Sequence, residues 1–251
     1  MPQVRERLDQ RVVREGLAPT RAKAAALIQA GYVLVDDQLL DKPGTQVPAT
    51  SVVRLKADAE ARRLSKYVAR SAHKLIAGLD AFGINPRGWL CLDIGASTGG
   101  FTQVLLEREA RQVIAIDVGT NQLAWEIRND PRVISHERTN AKALTKGEVP
   151  EPPDLVVVDV SFISLAKVIQ PTVALAKPET LWVTLIKPQF EVGRDEIGKG
   201  GIVTNPVAAE NAVQRLTDFA QGLGLRRLGL IKSPITGTDG NEEYLAHWKK
   251  S

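Results

Sequence analysis

One cysteine, Cys91, stands in a chain of 251 residues. A lone thiol excludes an intramolecular disulfide and any zinc site built from clustered cysteines. The three histidines show no metal-ligand spacing, so no metal is expected. Long apolar runs are also missing. The longest, such as Leu181 to Ile186, fall far short of the roughly 18–20 residues of a membrane span and predict buried strands. The first ten residues carry Arg5, Glu6, Arg7 and Asp9 and no apolar core of a leader, so no secretory signal is expected. These absences point to a cytoplasmic protein with no membrane partner.

Net charge is only +4, but its placement is uneven. Up to Ala72 there are 13 Lys/Arg against 8 Asp/Glu, and from His73 onward 20 against 21. The basic excess therefore lies wholly in the first 72 residues. A localised basic face attracts a phosphate backbone, although many such faces only solvate a protein.

The chain reads as two segments of different character. In the first, Leu8, Val12 and Val13 form one helical stripe, with Arg5, Arg7, Arg11 and Arg14 mostly outside it. Gly16 stops that helix. Thr20 is placed to cap a second helix, in which Ala24, Leu27 and Ile28 share a face. Arg21 and Lys23 sit in its first turn, where the helix dipole does not favour cations. That placement suggests they serve something outside the helix. Tyr32–Val35 and Val52–Leu55 predict short strands separated by turn residues. This small α+β segment, expected over 1–58, resembles the S-four-type RNA-binding fold, named after a ribosomal protein. The matching residues are Arg7-Leu8-Asp9, Gly16-Leu17-Ala18, Thr20-Arg21, Leu27-Ile28, Gly31 and Val33-Leu34-Val35-Asp36. A charged connector, expected as helix over Ala57 to Ala72, leads to the second segment, with the linker placed at 59–70.

The second segment, 71–251, alternates apolar strands with helical stretches. Strands are expected over Trp89–Ile94, Val113–Asp117, Leu155–Asp159 and Leu181–Ile186, with a last one near Tyr244–Trp248. Helices are expected near Phe101–Glu109, Leu165–Ala176 and Pro206–Leu223. Continuous apolar strands between helices imply an α/β fold, a Rossmann-like parallel sheet covered on both faces.

The sharpest local signal is Asp93-Ile94-Gly95-Ala96-Ser97-Thr98-Gly99-Gly100-Phe101-Thr102, after an apolar strand and opening a helix. Glycines there let the backbone turn tightly and approach a ligand. The run is neither G-x-G-x-x-G nor a P-loop, so a pyrophosphate is not the expected guest. Asp117, at the next strand tip, suits two ribose hydroxyls. Asp93 suits an amino group, directly or through water. A ribose and an ammonium without phosphate describe S-adenosylmethionine.

Four polar residues stand at strand ends or beside them: Lys74, Asp159, Lys187 and Glu243. Two lysines and two carboxylates around one cleft suit attack by a hydroxyl on a sulfonium methyl. A ribose 2′-hydroxyl is a weak acid and needs a base or a cation beside the developing oxyanion. Lys187 is the candidate base, Lys74 its electrostatic helper, and Asp159 and Glu243 hold the amines. Singly, each residue is more often an ordinary surface ion pair; it is the four together at strand ends that point to chemistry. Pyrimidine carbon-five methylation needs a nucleophilic cysteine, and Cys91 lies mid-strand. Exocyclic-amine methylation typically uses Asn/Asp-Pro-Pro-aromatic, which Val160-Ser161-Phe162-Ile163-Ser164 does not match.

Over nearly its whole length the chain resembles the TlyA family, often labelled haemolysin A, whose catalytic domain is similar to FtsJ ribosomal RNA methyltransferases. The resemblance rests on the glycine-rich run, on Val158-Asp159-Val160-Ser161-Phe162-Ile163-Ser164-Leu165, and on Ile186-Lys187-Pro188-Gln189-Phe190-Glu191. Gly198-Lys199-Gly200-Gly201, Ser233-Pro234-Ile235-Thr236-Gly237, Asp117-Val118-Gly119 and Glu137-Arg138-Thr139-Asn140 extend it. It implies a Lys-Asp-Lys-Glu catalytic set on Lys74, Asp159, Lys187 and Glu243. It implies a cofactor site on Asp93, Gly95, Ala96, Ser97, Gly99, Gly100, Phe101, Asp117, Val118, Asn140 and Asp159. It implies cytidine 2′-O-methylation in ribosomal RNA or ribosomal subunits, with Arg5, Arg7, Arg11, Arg14, Arg21 and Lys23 toward the RNA. Ser71-Ala72, where the family often has two glycines, and Gly119-Thr120-Asn121 depart from the pattern near the cofactor pocket. Rival readings are a pore-former, a non-catalytic assembly factor that keeps the cofactor loop, and an enzyme for another RNA or a base nitrogen. Liposome leakage separates the first, and mapping of the modified nucleotide the others.

Overall fold

A computed structural model of the chain describes residues 5–18, 20–29, 31–56, 67–237 and 240–250. The contacts divide it into two units, 1–66 and 67–251. The connector helix and the linker expected between them lie mostly outside the described residues. Tyr67 already belongs to the second unit, where its hydroxyl donates to Glu107 at 3.0 Å.

The first unit is a small α+β fold. Strand β1 (Arg5–Arg7) runs into helix α1 (Leu8–Arg14), and helix α2 (Arg21–Gln29) follows. Thr20 caps α2 as expected, its Oγ accepting from the Lys23 amide at 3.3 Å. Strands β2 (Val33–Val35), β3 (Gln38–Leu39), β4 (Gln46–Pro48) and β5 (Val53–Leu55) complete it. β1 pairs with β4, and β2 lies between β3 and β5. Leu8, Val12, Ala24, Ile28, Val33, Val47 and Leu55 form its buried core.

The second unit is the doubly wound sheet. It contains helix α3 (Ala72–Phe82), strand β6 (Leu90–Ile94), helix α4 (Gly100–Glu107), strand β7 (Gln112–Ile116), helix α5 (Trp125–Arg128) and strand β8 (Val133–His136). Then come strand β9 (Leu155–Val158), helix α6 (Ala166–Leu175), strand β10 (Leu181–Ile186), helix α7 (Pro206–Gly222), strand β11 (Leu225–Lys232) and strand β12 (Tyr244–Lys250). The strand order is β11-β12-β10-β9-β6-β7-β8. β12 runs antiparallel to both its neighbours, and the pairs from β10 through β8 are parallel.

Successive residues of a strand point to opposite faces, so each strand feeds two cores. Leu92, Ile94, Val156, Val158 and Trp182 pack on one side with Val168, Ile169, Val213 and Leu216 from α6 and α7. Cys91, Val113, Val157, Val183 and Leu185 pack on the other with Leu75, Leu79, Val104 and Leu105 from α3 and α4. Coverage on both faces is why β6, β9 and β10 are buried along their length and apolar but for Asp93 and Thr184, instead of alternating. The two buried tryptophans keep partners for their indole N–H groups: Trp182 donates to Thr172 at 3.1 Å and Trp248 to Thr184 at 2.9 Å. The chain winds from β6 through β7 to β8, then returns to the opposite side of β6 at β9. That reversal opens a crevice at the carboxyl ends of β6 and β9, where ligands of such sheets bind.

Candidate active site

The crevice begins at the loop after β6. Gly95 has φ +83° and Gly99 φ +98°, a region L side chains rarely adopt. A Cβ on Gly95 would lie 2.3 Å from the carbonyl oxygen of Asp159, so this position accepts only glycine. The close approach also fixes the loop against the end of β9. Ser97 stands at φ +48°, a costly conformation for a non-glycine residue. Its amide donates to Asp117 Oδ2 at 2.8 Å, while the Gly119 amide donates to Oδ1 at 2.7 Å. Asp117 is thus held at the tip of β7, and each carboxylate oxygen keeps a lone pair for another donor.

Asp93 is fully buried, and its Oδ2 accepts from the Thr102 hydroxyl at 2.6 Å. Its Oδ1 has no partner. Burial pushes its carboxyl up to about 7; the Thr102 hydrogen bond opposes this, and the charge of Asp159 adds to it. An unpartnered oxygen on a buried carboxylate calls for a donor or a cation. With the glycine cradle and the strand-tip acid, these residues fit the amino-acid and ribose ends of S-adenosylmethionine. Val118 follows Asp117 and is exposed. Asn140 caps the short turn Ala141–Ala143 and adjoins Thr139, whose amide donates to the Asp117 carbonyl at 2.9 Å. Ala96 and Gly100 lie in the loop and at the helix start, both buried. Phe101 departs from expectation: its ring is buried in the core cluster beside Leu75 and Val104, so it anchors the helix and leaves only its backbone near the loop.

The reactive side chains come from four elements. Gly78 packs α3 closely on the sheet, its Cβ position 3.2 Å from Val183. Lys74 lies one turn earlier on the same face, so the packing aims it at the sheet end. There it forms an ion pair with Glu243 in which both side chains are almost fully buried, at 6% and 2% exposure. Ile186 of β10 pairs with Tyr244 of β12, which makes Lys187 and Glu243 adjacent on neighbouring strands. Asp159 follows Val158, the partner of Thr184. Lys187 Nζ lies 2.6 Å from Asp159 Oδ1 and donates to Ser161 Oγ at 2.8 Å. Each lysine therefore has its own carboxylate, and strand register brings all four residues to one edge of the sheet, beside Gly95.

Two neighbours carried no role in the sequence reading. Ser161 is a direct partner of Lys187. Phe162 is 92% exposed with φ +62°, and its ring centroid lies 5.3 Å from that of Phe190. A left-handed phenylalanine facing solvent is a strained, uncommon arrangement. Between Val160 and Ile163 it reads as one more core residue, so pattern alone gives no signal for it.

In the first unit, Arg11 requires a correction. It is 8% exposed. Its guanidinium pairs with Glu6 and Glu15 and donates to the carbonyls of Ala49 and Ser51 at 2.8 and 3.1 Å. It ties α1 to the segment after β4 and has no surface to offer a ligand. Arg5, Arg14, Arg21 and Lys23 are exposed, and Arg7 is partly so. Arg7 and Arg21 share the buried carboxylate of Asp9 at 3.0 and 2.9 Å, and the Arg7 hydrogen bonds hold that carboxyl far below its usual range. Among the described residues, no helix is long and apolar enough to cross a membrane, and no group of three side chains could hold a metal.

Comparison with known proteins covers both units. Residues 67–250 match the FtsJ-like methyltransferase model and residues 6–53 the S4 domain. The 16S/23S rRNA (cytidine-2′-O)-methyltransferase TlyA of Mycobacterium tuberculosis is 48% identical over 96% of this chain and 88% of its own. Hemolysin A of Brachyspira hyodysenteriae is 40% identical over 96% and 99%. A solved Streptococcus thermophilus structure, described as a hemolysin, aligns with TM-score 0.74 and 38% identity over 98% of this chain and 89% of that one.

Proposed function

The chain belongs to the TlyA family of FtsJ-like methyltransferases with an S4 domain, and from that premise we propose how its residues methylate a ribose 2′-hydroxyl of cytidine in ribosomal RNA. The observation that carries the reading is the pair of lysine–carboxylate contacts, Lys187–Asp159 and Lys74–Glu243, set beside the Gly95 cradle. The protein works where ribosomal RNA is made, in the cytoplasm.

When bound, S-adenosylmethionine would supply a methyl group on a positively charged sulfur, with a neutral thioether as the leaving group. Asp93 and Asp117 would hold its amino and ribose ends, and residues 95–99 would cradle it. Lys187 would take the 2′-hydroxyl proton as the ribose oxygen bonds to the methyl carbon and the carbon–sulfur bond breaks, its electron pair staying on the departing neutral sulfur. Asp159 then holds the ammonium that forms, and Ser161 fixes its direction. Lys74, held in place by Glu243, stabilises the oxyanion as it develops. Positive charge near that oxygen favours the transition state more than the neutral hydroxyl. Phe162 offers an exposed ring on which the base of the target nucleotide stacks. Arg5, Arg7, Arg14, Arg21 and Lys23 contact phosphates, and Asp9 orients two of them. A pore has no use for two lysine–carboxylate pairs, one buried and one partly buried, at a cofactor crevice.

The test is methyl transfer from radiolabelled S-adenosylmethionine to small and large ribosomal subunits that lack their modifications. Alkali-resistant label in RNA is expected with the wild type and not with Lys187→Ala. Absence of label on either subunit, with cofactor binding intact, refutes the ribosomal assignment.

A further inference from the structure

Two loops build the reactive edge: 159–165, between β9 and α6, and 187–191, after β10. Lys187, Asp159 and Ser161 join their beginnings. Phe190 and Phe162 join their middles, ring to ring. Their ends are joined by Glu191, to which the catalytic reading gives no part.

The Glu191 carboxylate accepts from the Leu165 amide at 2.7 Å through Oε1 and from the Ser164 hydroxyl at 2.7 Å through Oε2. Leu165 is the cap of α6, where backbone N–H groups lack partners within the helix and favour a negative charge. The cap residue's own side chain makes no capping bond, so a carboxylate from another loop fills that role. The site is partly desolvated, and burial raises the Glu191 carboxyl above its ordinary range. A charge kept there against that cost fastens one loop to the other. Three residues separate Glu191 from Lys187, and two separate Phe162 from Leu165. The Phe162 backbone is already strained at φ +62°, and strain of this kind persists only when surrounding contacts over-determine it. The Glu191 clamp is one such contact.

We propose that Glu191 is a positioning residue for methyl transfer: it locks the 159–165 loop onto the 187–191 loop, so that Lys187 and Phe162 address the same nucleotide. This rests on the catalytic reading above. The cofactor cradle hangs on β6 and β7 and meets the 159–165 loop at Asp159 and Val160, at the end opposite the clamp on Ser164 and Leu165, so its function is separable.

The experiment compares Glu191→Ala, Glu191→Gln and Ser164→Ala with the wild type. Readouts are thermal midpoint, S-adenosylmethionine affinity, and kcat and KM for subunit RNA. Glutamine keeps the shape and can accept from the Leu165 amide while its amide group donates to Ser164. The expected result for Glu191→Ala is a fall in kcat of roughly 30-fold or more at unchanged cofactor affinity, with Glu191→Gln restored to within roughly fivefold of the wild type. A kcat equal to the wild type in Glu191→Ala overturns the proposal, and so does a loss in cofactor affinity as large as the loss in kcat. If Glu191→Ala does not fold, Ser164→Ala decides: a kcat reduced roughly threefold or more with normal cofactor affinity supports the clamp, and a normal kcat overturns it. A wild type inactive on both subunits refutes the catalytic reading instead, a separate outcome.

Discussion

Raising the pH from about 5.5 to about 7 should strengthen S-adenosylmethionine binding roughly 15-fold, because Asp93 must ionise to meet the cofactor's ammonium. Its carboxyl sits in β6 with no exposure, one hydrogen bond and one unpartnered oxygen. Burial pushes it up to about 7 from an ordinary 3.8. At pH 5.5 only about 3% of such a group is ionised, and at pH 7 about half, which gives the factor. The cofactor's own amine stays largely an ammonium across this window, since α-amino groups titrate near about 7.7–8.0. Binding should release nearly one proton at pH 5.5 and about half of one at pH 7, measurable by calorimetry in buffers of different ionisation heat. Stability runs the other way. Below 3.8 the group is protonated folded and unfolded, and contributes nothing to the pH dependence. Between 3.8 and 7 the folded chain retains a proton that the unfolded chain has lost, so stability falls as pH rises. Above 7 the full cost of a buried charge is present, on the order of 4 kcal/mol. Asp93→Asn should therefore bind weakly with no pH dependence, and gain stability over the wild type at pH 8. Equal wild-type affinity at the two pH values, or a slope that survives in Asp93→Asn, refutes the reasoning.

Other consequences follow from single contacts. Lys187→Ala should lower kcat by about 10²–10⁴ while S-adenosylmethionine affinity stays within about twofold, because the general base lies off the cofactor cradle; filter-bound label against calorimetry checks it. Glu243→Ala leaves Lys74 buried without its carboxylate and should cost about 3–5 kcal/mol in chemical denaturation, beyond its effect on transfer. Gly95→Ala puts a methyl 2.3 Å from the Asp159 carbonyl, and should abolish cofactor binding while the first unit stays folded. Phe162→Ala should weaken RNA affinity by about 1–3 kcal/mol, the usual scale of base–aromatic stacking, at unchanged thermal midpoint. Unchanged RNA affinity in that variant removes Phe162 from the target site.

What the sequence reveals depends on how directly a residue's role is tied to its place in the chain. Strands β6, β9 and β10 are legible because burial on both faces demands a nearly continuous apolar run, and the observed Leu181–Ile186 agrees with the run to the residue. Strand-end residues follow from that: once β9 and β10 are parallel neighbours, Asp159 and Lys187 must emerge together. Edge strands escape the same logic. β8 reads Val-Ile-Ser-His with little burial, and β11 alternates through Leu225–Lys232 with an exposed face, so neither shows a continuous run. Helix α3 is similarly hidden, since it begins among the charges of the connector. Side-chain fate is harder still, because it is set by contacts between distant segments. Arg11 lies among five arginines within the first 21 residues, all alike in sequence; only the carbonyls of Ala49 and Ser51, brought round by the β1–β4 pairing, turn it into an interior strut. Glu191 is the converse case. Its motif marks it as part of the reactive edge, yet its partners Ser164 and Leu165 lie 27 and 26 residues away, and no local spacing specifies that they meet. A motif thus locates the edge where chemistry happens, while the contacts that hold two loops in register there are long-range and become visible only once the strands have been paired.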